Sequence, residues 1–349
     1  MKQRSNRLGF SATLVVALSC LFASVALAAT ITGTPHRDRL VGTPNADTIN
    51  ALAGNDTVRA LAGDDLVNGG RGRDRVQAGA GGDTVNGGRG RDQLLGDEGD
   101  DKLNGDQGRD QIRGGLGNDT LRGGGGILGH RADQLHGNAG NDTVFGGRGT
   151  DFITGNLGDD VLNGGGGRDR IFAGPGNDTV NGGPGVGVSR AAARRFGDRL
   201  HGGDGNDKVN GGNGPDLISG GKGDDVSTGG SGDDRIFANL GADQSAGGDG
   251  NDDLWALARG DVTIPGDPIG DALAGGNGND TFHTADGEID RITCGDGNND
   301  RVIADVYDLI TDATPANVNG SCERVVRTTA QPDAGETKLE SPAEDGKES

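Results

Sequence analysis

Large apolar side chains are scarce in this chain of 349 residues, in which aromatics make up 3% and there is one Trp, one Tyr and one Met. Such a chain has no means of filling a conventional globular interior, and composition by itself points to low complexity. Long apolar runs are missing after residue 28, so no later segment suits a membrane-spanning helix. Positive charge is in deficit, with 33 Lys and Arg against 53 Asp and Glu and a formal net charge of -20. Acidic groups spaced along one backbone without a counterion repel and extend it. Histidine is sparse, and His36, His130, His136, His201 and His283 show no zinc-site spacing. No EF-hand loop is present, since no acidic run ends in the required glutamate. Glycine spacings that resemble dinucleotide loops lack the alternating helices that such a fold needs.

Glycine, in contrast, is abundant at 72 residues, and it is periodic. The stretch from Gly87 to Leu95 reads glycine, glycine, any, glycine, any, aspartate, any, aliphatic, any. Counted on the aspartate, the unit recurs every nine residues from 38 to 119, from 133 to 178 and from 198 to 261, then loosely at 271, 280, 290 and 300. Collagen is excluded because glycine does not fall at every third residue. The glycines permit the positive φ angles and close backbone approach of a very tight turn. Two residues after each aspartate comes an aliphatic side chain, such as Val76, Val85, Leu94 or Leu103, with mostly polar neighbours. That out, in, out alternation predicts a three-residue strand. A solenoid can stack one apolar side chain per strand into a narrow seam, so the period makes a fold possible where the composition does not.

The nonapeptide resembles the RTX, or haemolysin-type, calcium-binding repeat. The resemblance implies an all-β, right-handed parallel β-roll that binds multiple Ca2+ ions. It implies that each ion sits between consecutive turns on one edge, held by turn carbonyls and by the sixth-position aspartates of both turns. Carried over here, one ladder comprises Asp74, Asp92, Asp110, Asp151, Asp169, Asp216, Asp234 and Asp252, and the other Asp83, Asp101, Asp119, Asp142, Asp160, Asp178, Asp207, Asp225 and Asp243. Asp280 is added from the looser end of the series. Asp133 and Asp198 are left out because insertions at 126–132 and 186–197 interrupt their turns, and Asp261 because Arg259 and Thr263 break the motif around it.

Odd and even units differ. The residue before the aspartate is Arg37, Arg73, Arg91, Arg109 or Arg168 in odd units, and Asp64, Asp100, Asn118, Asn141 or Asp159 in even ones. The true repeat is therefore about eighteen residues, two nonapeptides per coil, with a strand in each of two facing sheets and a turn on each long edge. One edge carries an arginine row and both insertions, about 14 Å apart at one strand spacing per coil; the other is acidic. Inward positions of one sheet weaken through Ser227, Ser245 and Thr263.

Residues 1–28 read as a secretory signal peptide, with Lys2, Arg4 and Arg7, an apolar stretch and an Ala26-Leu27-Ala28 cleavage site. Residues 29–68 read as degenerate capping repeats that have lost the double glycine, 69–283 as the calcium-binding roll, 284–325 as degenerate repeats with a cap, and 326–349 as a disordered tail. Removal of Cys20 with the signal leaves two cysteines in an exported chain, so a Cys294–Cys322 disulfide is expected to close the cap. Repeats leave no room for a separate catalytic domain, and the expectation is a secreted, monomeric, non-enzymatic calcium-binding module of structural or adhesive role. The alternative is a polysaccharide-active or glycan-binding protein. Its partner, an anionic polysaccharide or cell surface rather than nucleic acid, would meet Arg73, Arg91, Arg109 and the 186–197 loop.

Overall fold

The computed structural model describes residues 27–125, 132–184, 197–256, 270–311, 313 and 320–328. Nearly all of the expected signal peptide, the tail beyond 328 and the interiors of both insertions lie outside the described residues. Thirty strands, β1 (Thr30–Thr32) to β30 (Arg324–Arg327), account for the regular structure, with no helix among the described residues. They alternate between two 15-stranded sheets, odd-numbered strands in the first and even-numbered strands in the second. All pairing is parallel and each strand meets the one a coil later, as in Val76 beside Leu94 and Val85 beside Leu103. The chain is thus a parallel β-solenoid with two nonapeptides per coil. The acidic edge leads into the first sheet and the arginine edge into the second.

Most strands are longer than the three residues that the alternation predicts. β8 runs from Gln93 to Glu98 and buries its second and fourth residues, Leu94 and Gly96. The glycine-rich backbone pairs from coil to coil as well, as Gly79 does with Asp97, so the ladder continues into the turn. The inward aliphatic side chains are almost wholly buried, each contributing about 1.5–3 kcal/mol. They form two clusters, one from Ile49 to Ile236 and one from Leu254 to Val325. Between the two lie Ser227 and Ser245, inward, buried and with Oγ atoms lacking a partner.

The weakening of that sheet stops there. Ser245 pairs with Leu273, not with residue 263. A third insertion therefore separates β24 (Asp253–Trp255) from β25 (Ala272–Asn277), and the place that counting by nines gives to Asp261 belongs to Asp271. The first two insertions lie between β11 (Thr120–Gly124) and β12 (Gln134–Ala139) and between β17 (Thr179–Gly183) and β18 (Arg199–Asp204). Both join the first sheet to the second along the arginine edge, whereas the third joins the second to the first along the acidic edge.

From the turn of Ala51 onward the second position takes a left-handed backbone in most turns, whereas Thr34 and Thr43 in the first two do not. Gly88 has φ 102° there, and Asp97, Asp106, Asn138, Asn156 and Asn239 take the same region, which short polar residues tolerate. Leu52 and Leu61, in the turns that lost their double glycine, adopt it too at φ 76° and 93°. Both are exposed, so little burial offsets the strain. Leu52→Gly and Leu61→Gly are each expected to stabilise the N-terminal coils by about 1 kcal/mol, measured by calcium-dependent thermal unfolding. A loss of stability would contradict this.

Cys294 and Cys322 form a disulfide across 28 residues, and both belong to the second cluster. The paired substitution Cys294→Ala/Cys322→Ala is expected to cost about 3 kcal/mol through loop entropy, seen as a lower denaturant midpoint of the calcium-loaded protein.

Candidate metal centres

Each repeat aspartate follows a tight turn and precedes an inward aliphatic residue, so its side chain folds back beneath the turn. The main-chain N–H of Asp74 donates to Asp92 Oδ1 at 2.8 Å, that of Asp92 to Asp110 Oδ1 at 2.8 Å, and the pattern runs up the arginine edge from Asp38 to Asp300. Asp300 in turn donates to Glu323 Oε2 at 2.8 Å. A parallel series climbs the acidic edge from Asp47 through Asp83, Asp101 and Asp119 to Asp308. One carboxylate oxygen per coil is thereby satisfied. At most positions the other is not: Oδ2 of Asp74, Asp83, Asp92, Asp101, Asp110, Asp119, Asp142, Asp151, Asp160, Asp169 and Asp178 is buried and has no hydrogen-bond partner among the described residues, whereas Asp308 Oδ2 accepts from Thr284 and from the Asp305 N–H. A buried carboxylate oxygen without a donor costs on the order of 1–3 kcal/mol or more, and these recur through most of the coils.

The first-position glycines show what surrounds those atoms. A Cβ built on Gly96 would lie 2.0 Å from Asp101 Oδ2 and 2.5 Å from the carbonyl oxygen of Gly114, one coil on. At Gly155 the same two positions are Asp160 Oδ2 at 2.0 Å and the Ala173 carbonyl at 2.7 Å. A carboxylate oxygen and a carbonyl oxygen thus face one cradle with no donor between them, an arrangement of hard acceptors that suits Ca2+. Ala78, Ala173 and Ala238 occupy the first position in the turns of Asp83, Asp178 and Asp243, where a methyl group narrows that cradle. No group of three or more His, Cys, Asp or Glu converges as a metal site among the described residues. A cation held between ladder carboxylates would therefore need main-chain oxygens to complete its shell.

The electrostatics agree with an unmet need for cations. Burial raises Asp101 and Asp119 to about 7, and Asp110, Asp169 and Asp216 to about 8, against a main-chain hydrogen bond that lowers each; neighbouring ladder aspartates push the same way as burial. Asp271 and Asp290 are driven well upward for the same reasons. Burial raises Asp133 and Asp198 to about 6, opposed by the main-chain hydrogen bonds from Asp110 and Asp169 and, to a smaller extent, by Arg109 and Arg168. Those two arginines therefore offset ladder charge in part.

All of the aspartates singled out by sequence, from Asp74 to Asp280, occupy ladder positions and are buried. Asp133 and Asp198, set aside because of their insertions, hold the same position: Asp110 donates to Asp133 Oδ1 at 2.7 Å and Asp169 to Asp198 Oδ1 at 2.6 Å. Asp56 and Asp65 in the degenerate repeats also present partnerless Oδ2 atoms, as do Asp271, Asp290 and Asp300 near the C-terminal end. Asp261 lies outside the described residues. Sequence reading also overlooked an outer ladder on the acidic edge, in which Asp100 Oδ1 accepts from the Asn118 N–H at 2.7 Å and Asn118 Oδ1 from the Asn141 N–H at 2.7 Å. The Asp or Asn before each repeat aspartate is the signal that marks it.

A family profile described as the RTX calcium-binding nonapeptide repeat (4 copies) matches residues 32–67, 60–94, 95–127, 131–162, 154–188, 195–227 and 219–254. Comparison with curated proteins found no match.

Proposed function

Because the chain belongs to the RTX calcium-binding nonapeptide repeat family and so binds multiple Ca2+ ions, we propose that it is a secreted structural or adhesive protein whose roll is completed by those ions. The observation that carries this reading is the series of buried Oδ2 atoms without a hydrogen-bond partner that recurs through most of the coils on both edges, as at Asp74, Asp92 and Asp110 and at Asp83, Asp101 and Asp119. The ligand aspartates would be Asp74, Asp92, Asp110, Asp151, Asp169, Asp216, Asp234, Asp252 and Asp280 on the arginine edge and Asp83, Asp101, Asp119, Asp142, Asp160, Asp178, Asp207, Asp225 and Asp243 on the acidic edge, joined by Asp133 and Asp198. Bound calcium supplies positive charge and vacant coordination positions. Each aspartate orients its own carboxylate through the Oδ1 hydrogen bond and leaves Oδ2 for the ion. The glycines hold carbonyl oxygens close to it. Where one carboxylate faced two intervals, filling of one would favour the next, and binding free energy would become folding free energy.

The basic head and small-residue cleavage site of residues 1–28 support export by the general secretory route into a compartment where calcium is abundant. The role is read as binding rather than catalysis. Exposed Arg73, Arg91 and Arg109 favour an anionic polysaccharide or cell surface as partner. Limited proteolysis of the exported protein tests the reading: its N-terminus is expected at Ala29, with the repeats resistant in calcium and degraded in chelator. Equal resistance in both, or retention of Met1, would count against it.

A further inference from the structure

Beyond Arg168 the arginine edge changes character. The position before the repeat aspartate, already Ala132 and Thr150 between Arg109 and Arg168, becomes Gly197, Pro215, Asp233, Asn251 and Asn279 with no further arginine, and there a groove of about 860 Å3 opens between that edge and the outer face of the second sheet. One wall is a single outward column in which Arg199, Leu217, Arg235, Asp253, Thr281 and Arg301 stand on successive coils. From Arg199 to Arg301 that column spans five strand spacings, about 24 Å. Arg168 stands at the groove's N-terminal end.

We infer that this groove is a docking track for a carboxylate-bearing polysaccharide lying along the solenoid axis, a proposal that rests on the extracellular binding reading above and gives its partner a place. The lining also carries the ladder aspartates Asp198, Asp216, Asp234 and Asp252, whose charge bound calcium would take up, and Arg235 is engaged by Asp253; with those balanced, guanidinium groups at intervals match carboxylates carried at intervals along a glycan. The groups between them form a ladder of their own, Asn251 donating to Asp233 Oδ1 and Asn279 to Asn251 Oδ1, which fixes them and leaves Asp233 Oδ2 and Asn279 Oδ1 as acceptors for hydroxyls. Asp253 is held by both Arg235 and His283, at 3.3 and 3.0 Å, so it is fixed in place and its charge is balanced locally. The same carboxylates disfavour a nucleic acid, whose phosphates follow one another without a neutral spacer. On the next outward position Trp255 stacks on His283 at 3.7 Å and on Phe237 at 5.8 Å, which stiffens the wall that presents these groups. The corresponding column of the first sheet, through Lys208, Val226, Gln244, Ala272, Arg291 and Leu309, has two basic residues over six coils, against three in the groove column.

Trp255 is the only tryptophan in the chain and stacks on His283, which lines the groove, so its fluorescence reports binding there through that contact. The calcium-loaded mature protein is titrated with hyaluronan oligosaccharides, whose uronates alternate with neutral sugars, with their carboxyl-reduced counterparts, and with single-stranded DNA. Saturable binding to hyaluronan is expected, weakened at least tenfold by carboxyl reduction and at least tenfold by Arg199→Ala/Arg301→Ala. Lys102→Ala/Lys208→Ala on the other sheet should leave it unchanged. Circular dichroism of each variant in calcium separates loss of the groove from loss of the fold. With the fold intact, absent hyaluronan binding, unchanged binding in the arginine variant, equal loss in the lysine variant, or DNA binding with the same arginine dependence would each overturn the proposal. Calcium-independent folding would sink the calcium-linked reading and leave the groove to be judged by these titrations.

Discussion

In chelator, the roll is expected to be stable at pH 4 and to be lost as the pH rises through 6 to 8, the reverse of ordinary acid denaturation. The sign follows from the ladder aspartates. Their folded-state values lie at about 6 for Asp92, about 7 for Asp101 and about 8 for Asp169, against a usual value near 3.8. Between about pH 4 and pH 8 the folded, metal-free chain therefore holds more protons than the unfolded one, so its stability falls with rising pH. Below about 4 both states are protonated and the stabilising difference is fully present; above about 8 it is gone. Calcium competes with those protons, so its affinity should rise over the same window. Far-UV circular dichroism across pH 4 to 8 in chelator checks this. A metal-free roll that gains stability towards pH 8 would contradict it.

The second large effect is a change of sign produced by one atom. Asp169→Asn keeps an acceptor for the Asp151 N–H, which now bonds Oδ1 at 2.8 Å, and replaces the partnerless Oδ2 with an uncharged amide. At pH 7.5 Asp169 can be buried without metal only by taking up a proton or by bearing a charge among like charges, so an amide there should stabilise the metal-free roll, while the calcium midpoint rises by roughly tenfold, about 1.4 kcal/mol. Asp169→Ala should destabilise both states, because the Asp151 N–H is left buried without an acceptor, at about 1–3 kcal/mol. Paired calcium titrations and chelator melts of the two variants distinguish them. If Asn and Ala lower metal-free and calcium-loaded stability alike, the carboxylate has only a structural role.

Much of this was legible because the repeat is short and strict. Asp92, Leu94 and the glycines around them fix which side chain turns inward, where the chain reverses and which aspartates stack. The alternation of Arg91 with Asp100 separated the two edges. Three features were less accessible. Asp261 falls nine residues after Asp252 by coincidence, and only the pairing of Ser245 with Leu273 shows that the coil closes later. Asp133 and Asp198 follow insertions, yet the aspartate and the aliphatic residue two positions on dock as one piece, and Leu135 and Leu200 anchor them in the seam. The left-handed backbone of Leu52 and Leu61 is invisible to a pattern that looks for glycine, because packing by neighbouring coils imposes it. The groove beside Arg199 and Arg301 depends on side chains four or more coils apart, which no local motif records.

The most direct test of the central claim is a calcium titration at pH 7.5 in which circular dichroism and the number of bound ions are followed on the same sample. A cooperative rise from a largely unfolded to a β-rich spectrum, in step with the uptake of several ions per chain, is the expected result. A β-rich spectrum that persists in excess chelator at that pH would contradict it.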